Sequence, residues 1–259
     1  LSVSIPPTAV KLRRIMNLAQ LLQSHALSFF HLSSPDLLLG WDSDPAQRNI
    51  FGVMRSHPQL AKDGIRLRQI GQVMIETLGG KRIHPAWMVP GGVNDPLTEE
   101  KRSSLLKMIP EGMTIARRTY NLFKELVSKF TDEAQHFGNF PSLFLSLVTP
   151  RGGLEHYDGL IRIKDAEGNI VEDMVPPDEY QRIIGEAVEP YSYMKFPYYK
   201  RHGYPNGMYR VGPLARLNNC DRCGTPFADV ALAEFRTLQE ARPVASSFHY
   251  HYARLVEII

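Results

Sequence analysis

From Val10 to Leu32 the chain contains neither proline nor glycine, and apolar residues recur through it at helical spacing. Leu18, Leu21, Leu22, Phe29 and Leu32 fall on one face, and Ile15, Met16, Ala19 and Ala26 cover much of the rest. A helix that is apolar on most sides belongs in the interior of a sizeable protein. Pro6-Pro7-Thr8 marks its start, because proline is tolerated where the first N–H groups have no partner. Pro35 is expected to end it. His25 lies in the middle of the Leu18–Leu32 face.

Similar signals place the next elements. Asp44-Pro45 reads as an N-cap that opens a helix to about Met54. Pro58 starts another, which Gly79-Gly80 terminates. Residues 81–96 form a Pro- and Gly-rich loop. Thr98-Glu-Glu-Lys101 restarts helix, continued over about Thr114 to Phe130 with Ile115, Leu122, Leu126 and Phe130 as its seam. The composition then changes. Ser142–Val148, Leu160–Lys164 and Ile170–Val175 read as strands, the last two joined by a turn at Asp165–Asn169. A short helix is expected from Pro177 to about Ala187, irregular chain over 190–213, and a helix from Thr225-Pro226 to about Ala241. The fold expected is mainly α: a buried multi-helix core with a small β insertion (α+β), one domain over 1–259 with its β-rich part near 140–175.

The chain has 259 residues, 43% apolar and 22% charged, which is globular rather than disordered. A net charge of +3 with scattered Lys and Arg argues against nucleic acid. No apolar run approaches the ~20 residues of a membrane span, and no secretory signal is evident. Two cysteines, close in sequence, favour a reducing, cytoplasmic setting. The chain opens on Leu1 rather than Met. Tyr252, Leu255, Val256 and Ile259 keep helical spacing to the last residue without a stop signal, so truncation is expected.

Four features could carry chemistry. Cys220-Asp-Arg-Cys223 could share a metal or form a disulfide. A zinc site would need two more ligands, for which His249 and His251 are available. A single C-x-x-C away from a strand–helix redox pattern is nevertheless more often two free thiols. His25 on a buried face is more often a hydrogen-bonded core histidine than a ligand. His84-Pro-Ala-Trp-Met-Val-Pro-Gly-Gly-Val93 is stiffened by two prolines, and its Gly pair lets backbone approach closely. It could present a surface to a partner or cofactor, or simply connect two helices. Arg210-Val-Gly-Pro-Leu-Ala-Arg216 sets two arginines about a Gly-Pro turn, where they could clamp an anion or lie at the surface. No nucleotide-loop, zinc-protease or nucleophile-elbow pattern occurs.

Taken in order, these motifs resemble one family. Leu22-Gln-Ser-His-Ala-Leu-Ser-Phe-Phe-His-Leu32, His84-Pro…Pro-Gly-Gly-Val93, Ser192-Tyr-Met-Lys-Phe-Pro-Tyr-Tyr199 and Arg210-Val-Gly-Pro-Leu-Ala-Arg-Leu-Asn218 are similar to central motifs of NiFe-hydrogenase large (alpha) subunits. The nearest class is the soluble, bidirectional, NAD(P)-linked one, which Asp44-Pro-Ala-Gln-Arg-Asn49 also fits. The resemblance implies a helical large subunit whose partners are the iron–sulfur small subunit of hydrogenase and a diaphorase-type or other electron-transfer module. It implies reversible H2 oxidation at a NiFe(CN)2CO centre in the full-length protein. The family's metal thiolates come from two C-x-x-C motifs near its chain ends. Neither is present here, so this stretch is expected to bind no metal and to be inactive alone. Cys220 and Cys223 lie where the family has no metal ligands.

What the resemblance carries over is supportive. Ser24 and His25 match a polar pair on a core helix behind the metal site. His84 matches a histidine that faces the proximal cluster. Arg210, Gly212, Pro213 and Arg216 match a structural motif. Two other readings compete: a metal-free relative of the respiratory complex I lineage, and an assembly module that holds zinc on its C-x-x-C.

Overall fold

The computed structural model describes residues 3–239 and 242–259. The chain divides into two compact units, Leu1–Leu126 with Ile258–Ile259, and Val127–Glu257. Among the described residues no helix is long and apolar enough to cross a membrane.

The first unit is helical. Helix α1 (Pro7–Ala26) starts on the expected proline. It does not stop at Pro35. The chain winds on as a π-helix over Leu27–Ser33 and then as α2 (Ser34–Leu39). Pro35 falls in the first turn of α2, and just before it Ser34 N donates to Phe29 O and Ser34 Oγ to Phe30 O. Helix α3 (Ile50–Ser56) begins later than Asp44-Pro45 suggested. Asp44 caps a turn instead, accepting from Ala46 N at 2.9 Å. Asn49 caps α3, its Oδ1 accepting from Phe51 N and Gly52 N at 3.0 and 3.1 Å. Helix α4 (Pro58–Gly79) ends on Gly80 in the left-handed region, as expected.

Packing between α1 and α4 corrects the expected buried face. Leu12, Met16, Ala19, Ala26 and Phe29 are buried, while Ile15, Leu18 and Leu32 are 38, 42 and 67% exposed. Glycines on the partner helix decide which face goes in. A Cβ on Gly71 would stand 2.8 Å from Ala19 O, and one on Gly64 would stand 2.5 Å from the Phe30 side chain. The helices approach closest along that glycine stripe, so the α1 residues facing it are covered. The core there joins Leu12, Met16 and Ala19 to Ile70, Met74, Ile75, Leu78, Trp87 and Leu105.

After α4 a two-residue hairpin, β1 (Met88–Val89) with β2 (Gly92–Val93), interrupts the loop. Helix α5 (Glu99–Val127) is continuous through Pro110. Its buried residues are Leu105, Ile115, Ala116, Thr119, Tyr120 and Phe123, so of the expected seam only Ile115 is fully covered.

The second unit is built on a sheet. After α6 (Thr131–His136) come β3 (Leu143–Val148), β4 (Leu160–Lys164) and β5 (Ile170–Val175), antiparallel in sequence as expected. The sheet extends further than 140–175. Strand β8 (Tyr209–Arg210) adds in parallel to β3, giving the order β5-β4-β3-β8. The expected helix from Pro177 is confined to a 3-10 turn (Pro177–Glu179) and α7 (Tyr180–Ile183). Residues Ile184–Val188 form β6, which pairs with β7 (Lys195–Tyr199) inside the segment expected to be irregular. Tertiary pairing explains the difference: Tyr199 is buried among Leu143, Ile161, Ile163, Val175 and Ile183, and its hydroxyl donates to Glu172 at 2.8 Å. Helices α8 (Pro213–Asn219), α9 (Pro226–Arg236) and α10 (Tyr250–Ile258) complete the chain. Helix α9 stops at Arg236, short of the expected end near Ala241, and residues 237–239 are turn.

Candidate functional site

In the first unit the polar pair on α1 and the Pro/Gly loop are the sequence-derived candidates. Ser24 is exposed and His25 is buried. The π-helix begins two residues beyond His25, and its wider winding lets Ser33 Oγ donate to Ser28 O, five residues back, at 3.1 Å. Single π turns inside helices recur at functional sites. The loop is fixed by a residue that sequence reasoning passed over. Arg13, on α1, donates to Val89 O at 2.7 Å and to Gly92 O at 2.6 Å. Trp87 is buried and its indole donates to Asp95 O at 3.1 Å. His84 is exposed and takes φ +50, unusual for a non-glycine residue. Between α1 and this loop lies a mostly apolar cavity of about 620 Å³, lined by Ala9, Leu12, Pro90, Gly91, Val93 and Leu97 among others.

In the second unit Arg210, Gly212, Pro213 and Arg216 occupy one continuous segment. Arg210 ends β8, Gly212 (φ +82) is the N-cap of α8, and Pro213 is its first residue. The two arginines do not converge on a shared anion, and neither is a free surface charge. Arg210 is buried, donates to Ala245 O and to Gly138 O, the latter at 2.6 Å, and stacks 4.1 Å from the Phe140 ring centroid. Arg216 holds Glu257 in a bidentate pair at 2.6 and 2.8 Å, with the Glu257 side chain 0% exposed. His156 Nε2 lies 3.3 Å from the same carboxylate.

A second polar node went unread in the sequence. Arg162 donates to Asp173 Oδ1 at 2.8 Å, to Asn219 O at 3.1 Å and to Asp221 at 3.2 Å. Asn219 Nδ2 in turn faces Phe144 O, Ser146 Oγ and Arg162 O at 3.0, 3.1 and 3.1 Å. A bulge in β5, where Met174 takes φ +52, aims Asp173 at Arg162. The alternation of β5 gives no hint of that bulge, and partners more than fifty residues apart leave no local signal.

The zinc reading finds no support. Among the described residues no group of three or more His, Cys, Asp or Glu side chains is arranged to hold a metal ion. Burial pushes His249 and His251 down to about 4, with Arg254 adding to the effect on His251, so both are neutral near pH 7. Nor do the residues present fit a NiFe centre. The chain has two cysteines where that centre draws on two C-x-x-C pairs, and Cys220 is fully buried with its thiol directed to Leu217 O at 3.8 Å.

No protein-family description matches the chain. It is 42% identical over 257 residues to a subunit of the F420-non-reducing hydrogenase vhu of Methanocaldococcus jannaschii, covering 99% of this chain and 61% of that protein. It is 36% identical over 263 residues to the beta subunit of the NAD-reducing hydrogenase HoxS of Cupriavidus necator, covering 99% of this chain and 54% of that protein. Among solved structures, an NAD+-reducing [NiFe]-hydrogenase in the H2-reduced state superposes with a TM-score of 0.94 and 46% identity, over 98% of this chain and 56% of that one. A Ni-Fe-Se hydrogenase from D. vulgaris Hildenborough shares the fold at a TM-score of 0.72 and 21% identity. The chain thus spans little more than half the length of the relatives it matches.

Proposed function

The chain is a homologue of NiFe-hydrogenase large subunits and has their fold, and on that premise we propose that it forms the central part of such a large subunit. The complete protein catalyses reversible oxidation of H2 to protons and electrons. Electrons pass to an iron–sulfur small subunit, then through a diaphorase-type or other electron-transfer module to NAD(P) or a similar carrier. The observation that carries this is the TM-score of 0.94 at 46% identity to an NAD+-reducing [NiFe]-hydrogenase over nearly all of the chain. A match of that identity to a hydrogenase also favours this reading over the respiratory complex I lineage. The proposal includes a cytoplasmic location, which the small number of cysteines supports.

The residues of this chain do not themselves supply the metal thiolates, so the proposal assigns them supporting work. Ser24 and His25 sit on α1 behind the centre, and burial of His25 beside the start of the π-helix supports that role. His84 faces the proximal iron–sulfur cluster. Its exposure and its place on a loop clamped by Arg13 support that orientation. Arg210, Gly212, Pro213 and Arg216 are structural, each arginine being used within its own unit. With its helical unit and its sheet-based unit, the stretch 1–259 forms the scaffold and other parts of the protein bring the ligands.

The test compares residues 1–259 with the complete large subunit in its assembly with the iron–sulfur partner. Hydrogen-dependent reduction of a viologen dye, with nickel and iron contents, is read on both. Activity and nickel are expected only in the complete assembly. A complete assembly without either would overturn the hydrogenase reading, and dye reduction by 1–259 alone would overturn the supporting role of this stretch.

A further inference from the structure

A basic cavity in the second unit has no part in the proposed function. It measures about 340 Å³, and Lys164, Arg236 and Arg242 are on its walls. The end of β4, the end of α9 and the segment leading to α10 bring these three together. Lys164 Nζ donates to Asn218 O at 3.0 Å. Arg236 reaches the same end of α8, donating to Cys220 O and, at 3.5 Å, to Asp221 O. The opposite wall is pinned there too. Asn218 Nδ2 donates to Val244 O at 2.9 Å, and Val244 N to Asn218 Oδ1 at 3.0 Å. A Cβ on Gly168 would lie 3.5 Å from Pro243 Cδ, which seats the turn after β4 against the same segment.

Positive charge is held there without being neutralised. Lys164 and Arg236 are anchored by backbone carbonyls, which are dipoles rather than charges. Among the described residues none of the three cations is in an ion pair. Asp221 is already taken by Arg162, at 3.2 Å to both carboxylate oxygens. Glu167 is the one carboxylate among the lining residues. Burial first, and then the charges of Arg162 and Arg236, push the Lys164 amine below its ordinary value against the pull of Asp221. A second cavity of about 140 Å³ shares Glu167, Gln239, Arg242 and Pro243 with the first. Phe140, Pro141 and Phe144 give it apolar walls, and Ser142 Oγ is buried there without a hydrogen-bond partner.

We infer that the two adjoining cavities bind a small phosphate monoester that carries a ring. The phosphoryl group lies among Lys164, Arg236 and Arg242, and the ring lies against Phe140 and Phe144. A phosphoryl dianion answers three cations better than a carboxylate with a single charge. Guanidinium groups also offer paired donors that match its oxygens. Lys164 spends one of its three donors on Asn218 O and keeps the others for the ligand. An anion there relieves the cost of a half-buried ammonium without a counter-charge. Ser142 Oγ gives the ring's polar substituent a partner. Glu167, on the wall common to both cavities, opposes the phosphoryl charge and limits affinity. None of this depends on the hydrogenase reading.

The full chain is titrated by calorimetry, at constant ionic strength, with phenyl phosphate, AMP, inorganic phosphate and benzoate. Phenyl phosphate and AMP present the same group from an aryl and a nucleotide source, and saturable binding of either at one site is the expected result. Inorganic phosphate is expected to bind more weakly because it leaves the smaller cavity empty, and benzoate more weakly still. Arg242 is exposed, so Arg242→Ala should leave the fold intact. It is expected to weaken the phosphate ester about tenfold, the scale of one charge-assisted hydrogen bond. Glu167→Gln is expected to tighten it by about two- to fivefold. Saturable binding of neither ester, benzoate binding as tightly as phenyl phosphate, or undiminished affinity in Arg242→Ala overturns the inference. Inorganic phosphate binding as tightly as both esters overturns the place given to the ring.

Discussion

The two units hold themselves together by different means. In Leu1–Leu126 the contacts that matter are apolar and made by closely approaching helices: Leu12, Met16 and Ala19 against Ile70, Met74 and Leu78, with Gly64 and Gly71 permitting the approach. In Val127–Glu257 a smaller apolar sheet core is accompanied by buried polar nodes: Arg162 with Asp173 and Asp221, Asn219 across three backbone and side-chain acceptors, and Arg216 with Glu257. Burial of apolar area is non-directional, so it tolerates many neighbours but is sensitive to volume. Buried polar groups are directional, so each fixes a particular register and is costly to leave without its partner. The first unit should therefore be sensitive to size, and the second to charge and protonation.

The largest expected effect tests the polar half of that contrast. Glu257→Ala leaves the largely buried Arg216 guanidinium without its bidentate partner, and loss of one member of such a pair costs about 3–5 kcal/mol. Urea denaturation should show it, and the double variant Arg216→Met with Glu257→Leu should recover much of the loss. A single variant within about 0.5 kcal/mol of wild type would break the comparison.

Acid comes next. His249 and His251 have folded values lowered to about 4, below the ordinary 6.5, mainly by burial. A lowered histidine value means that the unfolded chain binds the proton first. Stability is therefore full above about pH 6.5 and is lost as pH falls from there towards 4. Over that window the loss is on the order of 3 kcal/mol for each histidine that stays buried. Denaturation midpoints at pH 7 and pH 5 should differ in this direction, and amide exchange should place the weakening around 247–256. Unchanged midpoints would remove protonation from the contrast.

The apolar half is tested by volume. Gly71→Ala drives a methyl to 2.8 Å from Ala19 O and 3.0 Å from Gln23 N, backbone atoms that cannot swing aside. The expected cost is about 1–3 kcal/mol, with faster amide exchange in α1 and α4. Neutral behaviour would mean that the two helices do not depend on that approach. The smallest effect is local to one helix end: Asn49→Ala removes the oxygen that caps α3 and should cost about 1 kcal/mol.

Legibility followed the same division. Pro6-Pro7, Pro58 and Gly80 punctuated α1 and α4 because helix ends have unpaired backbone groups that particular residues satisfy locally. Alternation over 143–148 and 160–175 announced β3, β4 and β5. Strand β7 was hidden, since its Tyr- and Pro-rich sequence resembles loop until β6 pairs with it. Of the candidate residues, Ser24, His25, His84, Arg210, Gly212, Pro213 and Arg216 were named from motifs. Arg13, Arg162, Asn219 and Glu257 were not, because most of their partners lie from about forty to eighty residues away, and the nearer one, Asp173, meets Arg162 at the bulge in β5.

The sequence by itself determined the helical character of residues 7–79, the strands of 143–175 and the kinship with hydrogenase subunits. Each depends on neighbours in the chain or on motifs in order. Only the tertiary structure decided which face of α1 is buried, that Pro35 does not end the helical run, and that Arg210 and Arg216 serve different partners. The physical reason is the same in all three. Local pattern sets what a segment can become, whereas burial and pairing are settled by whichever distant surface approaches closest, and here glycines, carboxylates and backbone carbonyls on other elements made that choice.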